Sequence, residues 1–223
     1  MVYPNTKQFI GSIGLNTKMH ANFGTVWEGA PIEGGPNSDG DRHVIVVDKD
    51  NLLLYELYNA QPTANGWTAS SGAKWDLTSN TQRPKHWTSA EAAGLPVFPG
   101  LVRYEEAVVA GEINHALRFT VRKTQRGFIA PATHYASNST DSNLPPMGLR
   151  LRLRTDFDLS GFSPTNQTIL RALQKYGMIV ADNGSDLYLS GAPNPSWDDD
   201  DLHKLDKLNG NDFEAVDTGI IEK

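Results

Sequence analysis

The chain contains no cysteine, which excludes both a disulfide framework and a thiolate metal site. It contains no apolar run approaching the ~18 residues of a membrane-spanning helix. No concentrated basic face is written into it: the formal charge is -6 and the pI is near 5.5, a poor match for nucleic acid. The opening "MVYPNTKQF" lacks the charged-then-apolar order of a signal peptide. That start fits a cytoplasmic chain or a mature exported one carrying an added Met. Internal repeats, coiled-coil heptads and long linkers are absent from the sequence, as are a nucleophile elbow, a phosphate loop and a dinucleotide fingerprint.

What is present is turn chemistry. With 20 Gly and 13 Pro in 223 residues, the chain reads as a loop-rich β protein long enough for one sizeable core. The expected organisation is an irregular N-terminal arm over 1–40 docked on one β-rich domain over 41–223. Its short strands with close turn signals point to a mainly β sandwich or barrel with a few short helices.

Strand patterns occur at 42–48 and 52–58, in "GWTAS", "AKWDL", "INHALRFTV", "RGFIA", "LRLRLR", "MIVAD" and "LYLSG". "TSAEAAG" has Thr88 and Glu91 at capping-box spacing with Gly94 as a stop, and reads as a helical turn. "VRYEEAVVAG" is a short helix ending at Gly111. The strongest helix signal starts at Ser163 as N-cap and Pro164 as first residue. It carries Ile169, Leu170, Leu173 and Tyr176 on one stripe and stops at Gly177.

The stretch "GDRHVIVVDKDNLLLYELYNA" is a hairpin with polar residues inside apolar strands. A bend centred on Lys49 and Asp50 pairs Val47 with Leu52, Ile45 with Leu54, and His43 with Glu56, their Cβ atoms ~5 Å apart. Both faces are largely apolar, so the hairpin is expected to lie centrally in a sheet. An imidazole beside a carboxylate there serves either as an acid–base pair or as a structural ion pair.

In "GEINHALRFTVRKTQRGFIAPATHYA", alternation sets His115 on the apolar side with Ile113, Leu117 and Phe119, and Arg118 on the other. A hairpin turning at "RKTQ" brings Ala132 opposite His115 and His134 diagonally beside it, although Pro131 interrupts the ladder. These imidazoles are candidates for an anion or divalent-metal site, or are core histidines satisfied by carbonyls. Trp67, Trp75 and Trp87 are either a sugar-stacking platform or core fillers. "DNGSD" and "WDDDD" offer oxygen ligands for calcium without the EF-hand spacing, and a sharp turn and a helix start explain them equally. No cofactor is expected on this reading.

The peptides "GDRHVIVVDKD", "LYELYNA", "RPKHWTSAEAAGLPVFPGLVRYEE", "INHALRFT", "PATHYAS", "LPPMGLRLRLR", "FDLSGFSP", "ALQKYGMIVADNGSD" and "SGAPNPSWDDD" occur in an order that resembles a family of exported bacterial proteins. That family is of actinobacterial and acidobacterial type and has no assigned activity. The resemblance runs from about Gly11 onward and implies secretion, with no catalytic residues to carry over. One departure is visible: a Pro- and Asp-rich segment that separates "GTVWEGAP" from "IEGGP" in the family is missing here. A looser similarity links "LRLRTDFDLSGFSP" to the catalytic-aspartate strand of double-psi barrels in expansins and small endoglucanases, which points to Asp158.

The resulting expectation is a secreted carbohydrate-active protein that cleaves a polysaccharide or cell-wall glycan. Glycoside cleavage uses two carboxyl groups. Glu56 is the first candidate for the acid, tuned by His43, with Asp158 or Asp182 as its partner and Arg42 and Trp75 lining the cleft. In a β-elimination, His115 or His134 is the base and Arg118 neutralises a uronate. The alternatives are a non-catalytic glycan-binding module and a structural assembly protein with exposed strand edges.

Overall fold

The computed structural model describes residues 30–64 and 66–223. Most of the expected N-terminal arm therefore lies outside the described residues. Residues 30–40 are irregular and turn-rich, as their composition requires. The described chain is mainly β, sandwich-like, with a few short helices and no closed barrel.

Strands β1 (Val44–Asp48), β2 (Leu53–Tyr58) and β5 (Ser71–Asp76) form an antiparallel sheet in the order β1-β2-β5. Between them β3 (Gln61–Thr63) and β4 (Gly66–Thr68) form a small ribbon. The hairpin is covered on both faces, as its sequence implies. Val44, Val46, Tyr55, Leu57 and Trp67 pack on one side, and Val47, Leu54, Ala73 and Trp75 on the other.

The pairing is nevertheless shifted from the expected one, each partner lying two residues further along β2. Val47 opposes Leu54, Ile45 opposes Glu56 and Val44 opposes Leu57, so the bend is centred on Asp50 and Asn51. Asp48 explains the shift. Its carboxylate accepts the backbone N–H groups of Asp50 (3.2 Å) and Asn51 (3.0 Å) and the Asn51 side-chain amide (2.7 Å). A short acid that captures turn amides extends β1 to itself and moves the loop to residues 49–52. Leu52 closes it at φ 53°.

The second sheet has five strands in the order β10-β7-β8-β6-β9. They are β6 (Leu117–Val121), β7 (Arg150–Leu153), β8 (Met178–Asn183), β9 (Tyr188–Leu189) and β10 (Phe213–Val216). Helix α1 (Pro164–Lys175) packs Ile169, Leu170 and Leu173 against Leu117, Phe119, Met178 and Val180 in the largest core. Ser163 caps it, accepting Asn166 N–H at 3.2 Å, and Gly177 follows at φ 73°. Near the C-terminus α2 (Asp199–Leu202) is one turn, N-capped by Asp198.

Two expectations are corrected. "TSAEAAG" is a turn, because the Ser89 hydroxyl donates to Leu95 O (2.5 Å) and Thr88 Oγ1 to Glu91 O (2.9 Å), closing a loop. Segment 105–110 is a short helix ending at Gly111, as expected, with π-type hydrogen bonding. The hairpin joining "INHALRFTV" to "RGFIA" does not form. Strand β6 pairs in parallel with β8 and antiparallel with β9, while Phe128 bridges to Met147 and Glu222. Burial of β6 between two other strands outweighs the local turn signal.

Candidate functional site

The polar cluster begins with the irregular pairing of β6 and β8. Phe119 pairs with Val180, but Thr120 pairs with Asp182, so Ala181 is an extra residue. Strict alternation along β8 sets Asp182 on the core face with Met178 and Val180. The bulge turns it to the face of Arg118 and Thr120 instead, the re-aiming for which bulges are known. The Asp182 carboxylate then accepts N–H groups from Ala92 (3.1 Å) and Asn183 (2.7 Å).

Arg118 lies at the centre. Its Nε donates to Glu91 Oε2 at 2.7 Å, with the two side chains only 12% and 1% exposed. Its Nη1 donates to the hydroxyl of Ser190. Glu56 is fully buried beside them. Its Oε2 accepts from Trp75 Nε1 (3.1 Å) and Val97 N–H (3.0 Å), and its Oε1 from Phe98 N–H (2.8 Å). His43 and Tyr58 complete the group, their rings 5.6 Å apart. The pairing that was expected for His43 and Glu56 is thus filled by Tyr58, while Glu56 remains on the same face of the hairpin.

Three carboxyl groups share one guanidinium out of water, so they do not all ionise freely. Burial raises Glu56 to about 7 against the pull of its N–H donors and Arg118. Burial also raises Glu91 to about 8, opposed by Arg118 and reinforced by Asp182 and Glu56. Asp182 is raised by burial as well, with its two N–H donors and Arg118 opposing. Arg118 stays charged because the surrounding acids outweigh the effect of its own burial. His43 moves the other way: burial lowers it, assisted by Arg118 and opposed by Glu33, Asp41 and Asp182. Glu56 and Glu91 thus keep their protons up to near-neutral pH. Two polar atoms in it, Glu91 Oε1 and His43 Nδ1, are buried with no hydrogen-bond partner among the described residues.

The remaining candidates are dispersed. Arg42 is buried, donating to Ala60 O (3.0 Å), Pro36 O (3.0 Å) and Ser38 O (2.8 Å), and so ties a loop down instead of lining a cleft. His115 does not meet His134. Its Nε2 lies 3.1 Å from Glu106 Oε2 and 3.1 Å from Arg103 Nη2, whereas His134 Nδ1 lies 2.7 Å from Ala92 O. Asp158 is exposed and closes its own turn, accepting from Ser160 N–H (2.8 Å) and Oγ (2.9 Å). Trp67 packs on the opposite face of the hairpin from Trp75, so the three tryptophans form no shared platform. Trp75 and Trp87 flank Arg83, whose guanidinium carbon lies 6.0 and 5.4 Å from their ring centroids. Among the described residues no group of three or more His, Asp or Glu is placed to hold a metal ion, and no helix is long and apolar enough to cross a membrane.

Glu91, Tyr58 and Ser190 enter the cluster without a warning in their spacing. Glu91 sits in a motif that reads as a helix cap, and only the loop closed by Ser89 turns it inward. No family model, curated protein or solved structure matches the chain.

Proposed function

We propose that the protein is an exported carbohydrate-active enzyme that hydrolyses a neutral polysaccharide by acid–base chemistry at His43 and Asp182. The observation that carries this reading is the cluster itself. Six separate segments converge on it, and it holds a half-buried carboxyl pushed up and a half-buried imidazole pushed down. Such opposed shifts favour the protonated acid and the unprotonated base, the combination that general acid–base work uses. Asp182 donates its proton to the glycosidic oxygen as the bond to the anomeric carbon breaks. His43 takes a proton from the water that adds to that carbon, and solvent exchange restores both groups.

Glu91 and Arg118 act as positioning residues behind this pair. Glu56 joins them there, since it is fully buried whereas Asp182 is only half-buried. Arg118 is engaged by Glu91 and Ser190 and only 12% exposed, so it is poorly placed to neutralise a uronate, which weakens the elimination chemistry. Burial of Trp67 and Trp75 weakens a reading as a sugar-stacking module.

The test is release of reducing ends from a panel of neutral and acidic polysaccharides between pH 4 and 8. Asp182→Asn and His43→Gln are each expected to lower the rate by a factor of ~10² to 10⁴ while circular dichroism shows a folded protein. Absence of product from every polymer, or full activity in both variants, overturns the proposal.

A further inference from the structure

A cavity of about 610 Å³ lies away from the carboxylate cluster and meets it only at Ser190. It opens between β9, α1 and the C-terminal segment that follows α2. Its apolar lining includes Ile169, Leu173 and Met178 from the core, with Leu187, Leu202 and Leu205 facing them. That volume and apolar lining match sites that enclose small ligands. Trp197 forms one wall and is held in place. Its Nε1 donates to Ala192 O at 3.0 Å, and its ring meets Tyr104 edge-on with centroids 5.0 Å apart.

The charge of the lining has one sign. Asp186, Asp199 and Asp206 contribute carboxylates, and no Lys or Arg lines the cavity among the described residues. Asp186 lies 3.5 Å from Arg122 and Asp206 3.5 Å from His203, all of them exposed. Asp199 has no side-chain partner among the described residues. An apolar chamber with a carboxylate rim and an aromatic wall complements an apolar body that ends in a cation. Such a ligand gains from burial of its hydrocarbon, from the rim charges and from the indole face.

We infer that this cavity binds a small apolar molecule bearing a positive charge, an alkyl- or arylammonium compound. The site is independent of the hydrolytic reading and of Asp182.

The experiment is calorimetric titration of the full chain with n-octylammonium, octanoate and methylammonium, each below its micelle threshold, with tryptophan fluorescence as a second readout. Octylammonium is expected to bind saturably at about tenfold or greater advantage over both octanoate and methylammonium, since both tail and charge contribute. Asp199→Lys, at an exposed position, is expected to reduce that preference severalfold with an unchanged melting temperature. Leu205→Trp, which fills the chamber, is expected to weaken octylammonium and octanoate alike. Equal affinity for cation and anion, no saturable binding, or an unaltered preference in Asp199→Lys overturns the inference.

Discussion

Trp75 Nε1 donates to Glu56 Oε2 at 3.1 Å across neighbouring strands, although Glu56 is paired with Ala73 in the register. The indole reaches diagonally along the shared face, two residues on, as aromatic side chains do. Together with the N–H groups of Val97 and Phe98 it fills both oxygens of a side chain with no exposure. Glu56 therefore fastens the 97–98 loop onto the sheet.

Replacing that carboxylate tests the fastening. Glu56→Gln puts an amide NH₂ against at least one of three N–H donors and leaves a buried group unsatisfied. A loss of roughly 1–3 kcal/mol in urea unfolding is expected. A variant as stable as the parent contradicts the structural role.

Stability is expected to fall as pH rises from about 5 to about 8. Glu56 and Glu91 are raised to about 7 and about 8, so the folded chain binds their protons more tightly than the unfolded one. Their contribution is complete below the unfolded value near ~4.3 and is lost as pH passes through the folded values. His43, being lowered, works in the opposite sense, with stability gained as pH rises toward its unfolded value. Asp182, raised by burial as well, acts in the same sense as the two buried glutamates, so a net loss of stability is expected. Thermal melts across this range read it directly.

Activity carries its own pH signature if Asp182 and His43 are acid and base. The rate requires a protonated carboxyl and an unprotonated imidazole, and the opposed shifts bring these states together. A bell-shaped profile is expected. His43→Gln should remove the acidic limb.

Gly94 holds the loop that supplies Ala92 N–H to Asp182. It has φ 73°, and an added Cβ would lie 2.6 Å from Trp87 O and overlap Thr133 Oγ1. Gly94→Ala is expected to cost roughly 1–3 kcal/mol and to lower activity by moving Ala92. Gly111→Ala is the control, with open space around its Cβ and a similar φ of 68°, and it should cost less.

The helix cap gives a local check. Ser163 accepts Asn166 N–H and its hydroxyl donates to Asp201, joining α1 to α2. Ser163→Ala is expected to lower stability by ~1 kcal/mol, the usual worth of a cap.

The amino-acid sequence by itself determined whatever depends on neighbours along the chain. Alternation put His43 and Glu56 on one side of the hairpin, two apolar faces marked that hairpin as covered, and a Ser-Pro start with a Gly stop bounded α1. Tertiary structure decided the rest. An extra residue at Ala181 turned Asp182 toward Arg118, and Arg118, 27 residues away, holds Glu91; the capture of turn amides by Asp48 is by contrast local, reaching residues two and three positions on. Periodicity encodes which face a side chain takes while the strand is regular. A bulge changes that face through partners distant in the chain, where no local pattern reaches.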